Sequence, residues 1–223
     1  QKDIGINMRS TPATYLEISD PIRSLFAKAN KVRQQLFSFN SKGACPACKG
    51  KGVIVSDMAF MESIETVCEL CHGSRYNEDA LHHCYRGKNI AEVMEMSVDE
   101  ALSFFEDEPF AGSLASLSEV GLGYLKLNQS MSTLSGGELQ RVKLAESLQR
   151  HAEASQKAEN KKRENHSGDI YIIDEPTDGL HLDDIRRLMR LFNRMTDEGN
   201  TLILIEHSTD VMRQADHLIE LGP

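Results

Sequence analysis

The sequence predicts an α/β fold, and three stretches carry that prediction. Ile170-Tyr171-Ile172-Ile173-Asp174 and Thr201-Leu202-Ile203-Leu204-Ile205-Glu206 are short β-branched runs with a helical pattern between them, the alternation expected of a parallel sheet whose strands are buried on both faces. Leu134-Ser135-Gly136-Gly137-Glu138 runs into an apolar-periodic segment, and Ser with Glu at the third following position reads as a capping box. Cys45-Pro46-Ala47-Cys48 and Cys68-Glu69-Leu70-Cys71 are paired C-x-x-C motifs, which add a small metal-binding module to the α/β frame.

The 223 residues, 40% of them hydrophobic, leave room for one or two domains with a core. No apolar run of about 18 residues and no charged-then-apolar leader is present, so a soluble, cytoplasmic protein without a membrane segment is expected. Net charge is −9, yet residues 1–51 hold nine Lys/Arg against three Asp/Glu. That basic stretch suits phosphate-backbone contacts as well as it suits a solvated surface.

From the N-terminus, Ser10-Thr11-Pro12 marks a turn and Thr14-Tyr15-Leu16 a short extended piece. Asp20-Pro21 ahead of Ile22, Leu25, Phe26 and Val32 predicts a helix with Asp20 at the N-cap, ending near Gln35.

In the cysteine region, 19 residues separate Cys48 from Cys68, inside the window of about 15–20 for a four-thiolate zinc site. Gly50 and Gly73 each follow a second cysteine by two positions, where a turn with positive φ can aim amides at the sulfurs. Val53-Ile54-Val55 and Ile64-Glu65-Thr66-Val67 read as hairpin arms joining the pairs. Disulfides are the competing reading, weakened by the odd fifth cysteine. Cys84 reads as a buried free thiol, and His72, His82 and His83 as non-ligands, because four thiolates already close a structural tetrahedral site.

Ile90, Val93 and Met94 predict a short helix, and Ser97-Val98-Asp99-Glu100 caps another that Pro109 ends. Leu114, Leu117 and Val120 form a third, stopped at Gly121. At Ser135 the glycines inside the first turn cost about 1 kcal/mol each relative to alanine. They leave bare amides at a helix N-terminus, an anion site, although an ordinary capped helix with incidental glycines has the same sequence. Residues 152–168 are polar without an apolar face, a mobile insertion or exposed helix extension. Ile185, Leu188, Met189, Phe192 and Met195 predict a helix near 183–197 covering one sheet face, with Gly199 closing it. Strand 201–206, a short helix from Ser208 and a final strand His217–Leu221 complete the pattern. Asp174 and Glu175 at a strand end are either buried structural acids or groups that meet a metal.

The order of Ser-Gly-Gly-Glu helix, strand ending in Asp174-Glu175 and strand ending before His207 resembles the ABC-type ATPases. The resemblance implies that Ser135, Gly136, Gly137 and Glu138 form the signature motif facing the γ-phosphate of ATP. It further implies that Asp174 helps hold Mg²⁺, Glu175 polarises the attacking water and His207 contacts the γ-phosphate, roles suited to phosphoryl transfer by positioning and charge neutralisation. No G-x-x-x-x-G-K-[ST] phosphate cradle occurs in the sequence. The chain opens on Gln1, so the cradle is expected upstream in a longer polypeptide, and this stretch is an ABC-type ATPase half without its Walker A portion.

Arg9 to Tyr15, Phe37-Ser38-Phe39-Asn40, the C-x-x-C pairs, Val120-Gly121-Leu122-Gly123-Tyr124, Leu134 to Ala145, Asp174 to His181 and Ile205-Glu206-His207 resemble the C-terminal ATPase half of the UvrA family of nucleotide excision repair. Gly179-Leu180-His181 separates it from transporter ATPases, which usually carry Asp where His181 stands. The resemblance implies a zinc module inside the signature region, a homodimer, double-stranded DNA with Arg9, Arg33 and Lys42 as candidate contacts, and UvrB as a further partner. It also implies that Gln1 lies near the family's Q-loop. Ile6-Asn7-Met8 and the long 152–168 stretch depart from the family pattern and keep open a UvrA-like paralogue of drug or genotoxin tolerance. The implied organisation is a basic part at 1–42, the zinc module at 43–87, the helical signature region at 88–150, the insertion at 151–168 and the Walker B and His-loop part at 169–223.

Overall fold

The computed structural model describes residues 10–56, 64–158, 168–220 and 222. The chain divides into two compact units, Gln1–Phe110 with Leu125–Thr133 and Ala111–Tyr124 with Leu134–Pro223.

The first unit begins with helical turn α1 (Pro12–Tyr15). Here the sequence predicted an extended piece. Thr11 and Thr14 instead cap each other, Thr14 N–H donating to Thr11 Oγ1 at 3.2 Å and Thr11 N–H to Thr14 Oγ1 at 2.8 Å. Threonine at the third helical position thus does what Glu or Gln does in the usual capping box, while Pro12 presets the first helical φ. Helix α2 (Ser19–Asn30) has Asp20 in its first turn, not at the N-cap, paired with Arg23 at 2.9 Å. It stops well before Gln35 because Lys31 takes a left-handed φ of 56° and Val32 N–H closes on Ala27 O at 3.2 Å. A short 3-10 turn at Gln34–Phe37 follows. Phe26, Phe37 and Phe105 are fully buried, and Tyr85 packs on Phe26 and stacks on Phe105.

Strands β1 (Val53–Ser56) and β2 (Ile64–Val67) pair antiparallel with Val53 opposite Val67, the expected hairpin. After α3 (Glu78–Leu81) come β3 (Cys84–Tyr85) and β4 (Lys88–Asn89), joined through Arg86 and Gly87 with φ of 49° and 80°, a primed turn that suits the strand twist. Asn89 with Glu92 caps α4 (Ile90–Met94), and Ser97 with Glu100 caps α5 (Val98–Phe104), as the sequence indicated for Ser97.

In the second unit α6 (Ala111–Glu119) ends at Gly121, whose φ of 79° lets Leu122 N–H reach Leu117 O at 3.0 Å. Helix α7 (Gly136–Ala158) carries the Ser-Gly-Gly-Glu segment at its start. Residues 159–167 of the expected insertion fall outside the described residues. Strands β5 (Ile170–Asp174) and β6 (Thr201–Ile205) pair parallel, Asp174 opposite Ile205, and α8 (Leu182–Asp197) is the crossover between them. Leu188, Met189, Phe192 and Met195 of α8 are buried, the predicted apolar stripe.

The sheet departs from prediction in that its strands are not buried on both faces: exposure alternates, with Ile172 70% and Ile205 54% exposed on one side. Among the described residues helices cover only the other side. Ser208 begins α9 (Thr209–Met212) as expected. His217–Glu220 form no strand, and Leu218 and Ile219 are exposed, because no described strand offers them a ladder. Among the described residues no helix is long and apolar enough to cross a membrane.

Candidate functional site

In the cysteine module the same knuckle is built twice. Lys49 N–H donates to Cys45 O at 2.8 Å and His72 N–H to Cys68 O at 2.8 Å, while Lys51 N–H reaches Cys48 O and Ser74 N–H reaches Cys71 O. The turns need positive φ, which Gly50 (79°) and Gly73 (84°) adopt without strain. A Cβ at Gly50 would lie 1.8 Å from Phe39 O, so only glycine fits there. Each knuckle also ties to the other, Cys45 N–H to Arg75 O and Cys68 N–H to Gly52 O, both 2.9 Å.

This pairing buries four sulfurs together, all within 4.8 Å of one another. Cys45 and Cys68 Sγ lie 3.9 Å apart and Cys48 and Cys71 Sγ 3.6 Å apart. Zinc–sulfur bonds of about 2.3 Å in a tetrahedron require sulfur separations of about 3.8 Å. The spacing is also far beyond a disulfide bond of about 2.0 Å, and all five cysteines are free. The donor set therefore fits a metal ion, and zinc in particular matches four soft thiolates in a closed shell. Backbone N–H donation from Cys71 leads the causes that draw the Cys68 thiol down to about 7, whereas burial pushes Cys71 up to about 12. Gly52 N–H adds a bond to Cys48 Sγ at 3.2 Å.

Cys84 is exposed on β3, not buried as its sequence context suggested, because Tyr85 turns into the aromatic core and its neighbour must face outward. His72 is exposed, His82 Nδ1 lies 2.7 Å from Glu78 O and His83 packs edge-on to Phe37. Among the described residues only the four cysteines cluster as ligands. Arg33 and Lys42 are exposed, whereas Gln1 and Arg9 lie outside the described residues.

In the second unit the predicted capping box is present: Ser135 N–H donates to Glu138 Oε2 at 2.7 Å and Glu138 N–H to Ser135 Oγ at 3.3 Å. Ser135 and Gly136 are exposed, and a Cβ at Gly136 would meet nothing within 4 Å. The helix N-terminus is thus open to an approaching anion. Tyr124 O–H donates to the Glu138 carboxylate. Burial opposes ionisation of Glu138, but Tyr124 and the Ser135 amide outweigh it and hold the carboxyl below its ordinary value. Burial and the Glu138 contact raise Tyr124 to about 12, so it remains a donor. Farther along α7, buried Arg141 donates from Nη1 to Pro176 O and Asp178 O, both at 3.3 Å. Arg141 thereby ties the signature helix to the turn that follows Asp174 and Glu175.

At the carboxyl ends of the parallel strands, where ligands of α/β sheets collect, Asp174, Glu175 and His207 are all exposed. They are not buried structural acids. Glu175 turns the chain with a φ of 45°, its N–H on Ile205 O at 2.8 Å. His207 Nδ1 stands 3.6 Å from Glu175 Oε1. Glu206 organises the corner: its Oε1 accepts from Thr177 Oγ1 at 2.6 Å and Thr177 N–H at 2.9 Å, and its Oε2 accepts from His207 and Ser208 amides. His181 caps α8 through Nδ1 and the Asp183 N–H. Sequence reasoning passed over the roles of Tyr124, Arg141, Thr177 and Glu206. A charged residue between an apolar strand and a histidine was the available signal for Glu206.

An open signature-type helix, a strand ending in paired carboxylates, a histidine on the adjacent strand and a thiolate cluster define the class: the signature-to-histidine part of an ABC-type ATPase half. No family model matches the chain. It is 48% identical over its whole length to UvrABC system protein A of Methanothermobacter thermautotrophicus and 47% identical to that of Streptococcus pyogenes, covering 23% of each. The crystal structure of UvrA2 from Deinococcus radiodurans matches with a TM-score of 0.76 and 42% identity, over 92% of this chain and 24% of that one. The chain belongs to the UvrA family and spans 23% of the length of these curated relatives.

Proposed function

We propose that this segment is part of an ATP-hydrolysing, DNA-binding protein that recognises damage in nucleotide excision repair. In this reading Ser135, Gly136, Gly137 and the first amides of α7 face the γ-phosphate, with Glu138 held in place by Tyr124. Asp174 helps hold Mg²⁺, Glu175 orients the attacking water, and His207 contacts the γ-phosphate and fixes Glu175. The ATP site is completed by a Walker A loop from elsewhere, with Gln1 near the Q-loop. Phosphoryl transfer asks for this kind of positioning and charge placement. The observation that carries the reading is the 3.6 Å approach of His207 to Glu175 at the ends of neighbouring parallel strands.

Zinc, held by Cys45, Cys48, Cys68 and Cys71, supplies a structural crosslink with no open coordination position. Double-stranded DNA is the partner of the basic N-terminal segment, with Arg9, Arg33 and Lys42 as phosphate contacts. The working form is a cytoplasmic homodimer, and UvrB is its further partner. A second reading, a UvrA-like paralogue of genotoxin tolerance acting without UvrB, rests on the departures from the family pattern at Ile6-Asn7-Met8 and 152–168.

The test is DNA binding by a polypeptide of the relatives' length that carries this segment, comparing lesion-containing with intact duplex, with and without ATP. Lesion preference that Glu175→Gln abolishes supports the proposal. Discrimination unchanged by Glu175→Gln contradicts the coupling, and UvrB binding separates the two readings.

A further inference from the structure

The duplicated knuckles correspond residue for residue: Cys45 to Cys68, Cys48 to Cys71, Gly50 to Gly73 and Gly52 to Arg75. The last pair has the same backbone task. Gly52 O accepts from Cys68 N–H and Arg75 O from Cys45 N–H; Gly52 N–H donates to Cys48 Sγ, and the Arg75 amide acts to lower the Cys71 thiol against burial, which raises it. Both positions are left-handed, φ 81° at Gly52 and 73° at Arg75. Glycine is the residue that conformation favours, and a long side chain there is strained. The backbone therefore does not select arginine at 75; its side chain must.

That side chain lies across the opposite knuckle. Arg75 Cγ and Nε are 3.2 and 3.6 Å from where a Gly52 Cβ would stand, and Cζ sits 5.3 Å from the Phe39 ring centroid. Nη1 is buried with no hydrogen-bond partner among the described residues. Burial draws the Arg75 guanidinium below its ordinary value, against the opposing pull of Tyr76, Cys48, Glu95 and Cys71. Burial keeps Tyr76 protonated, and Glu95 is already engaged by Lys126 and Asn128. The cysteine sulfurs are the remaining counterpart. A divalent ion on four thiolates leaves a net charge of about −2 in a buried site, and a guanidinium is a permanent, weakly hydrated cation suited to offset it.

We propose that Arg75 is a positioning residue of the metal centre, whose guanidinium balances the charge of the loaded thiolate cluster on its Cys48–Cys71 side and slows loss of the ion. The inference rests on the zinc reading above. The experiment follows transfer of zinc from the loaded chain to an excess of a chromophoric chelator, for the wild type, R75K, R75M and R75G. Initial zinc content is measured in each. R75G restores the residue its backbone favours, so faster release from it cannot be ascribed to strain. Wild type and R75K are expected to release slowly, R75M and R75G at least about 10-fold faster. R75M or R75G releasing at the wild-type rate overturns the proposal and leaves Arg75 as packing on Phe39. R75K releasing as fast as R75M overturns the charge account too. A wild-type chain that takes up no zinc fails earlier, and refutes the metal reading together with this inference.

Discussion

Around Cys45 and Cys68 the sequence closes on itself, since each knuckle's amides and carbonyls meet the other's and the four sulfurs are buried together. At the carboxyl ends of β5 and β6 the opposite holds: Asp174, Glu175 and His207 are exposed, as is one face of the strands. Ser135 at the head of α7 is exposed as well. A structural metal site must supply its whole ligand set and exclude water. A phosphate-handling site must leave room for substrate and for groups brought from elsewhere. The contrast lies in completeness, not in size.

The largest effect that sharpens this contrast is at the cysteines. Zinc binding in small structural sites is worth about 10–16 kcal/mol, so Cys45→Ser is expected to abolish stoichiometric zinc and amide protection in β1 and β2. Protection in β5 and β6 stays unchanged in the same hydrogen-exchange experiment. Retained protection at Val53 and Val67 breaks the claim that the module depends on its metal.

Next in size is Leu188→Ala in the buried stripe of α8. Leu188 is fully buried, and such truncations cost about 2–5 kcal/mol. Denaturant unfolding of the second unit is expected to shift by that amount, with zinc content unaltered.

A smaller effect is expected from Tyr124→Phe, about 1 kcal/mol for one hydrogen bond. The folded state lowers the Glu138 carboxyl, so this contribution is present above the ordinary carboxylate range and lost as pH falls through the folded value. Without the Tyr124 hydroxyl the Glu138 value rises toward the unfolded one, so less stability is lost in acid and that loss is complete at higher pH. An acid limb that does not move separates Tyr124 from the signature motif.

Motifs whose chemistry is local were legible in the sequence. The Ser97 and Ser135 capping boxes, the hairpin between cysteine pairs and the apolar stripe of α8 follow from spacing alone. The Thr11 and Thr14 cap lies outside the pattern that ends in Glu or Gln, and the left-handed φ of Lys31 leaves no compositional trace at a non-glycine. Ile170, Ile172, Ile203 and Ile205 promised a strand pair covered on both sides, since composition records what a surface can bury and not what is present to cover it. Glu206 and Arg141 hold loops distant in sequence, and neither carries a periodicity that announces such a role.

The central claim is most directly tested by steady-state ATP turnover of the purified, zinc-loaded 223-residue chain. Its sequence lacks a G-x-x-x-x-G-K-[ST] cradle, so the account predicts no phosphate release above the buffer rate even with Ser135, Asp174, Glu175 and His207 in place. Sustained turnover that Glu175→Gln abolishes would contradict it, because the nucleotide site would then be complete on this chain.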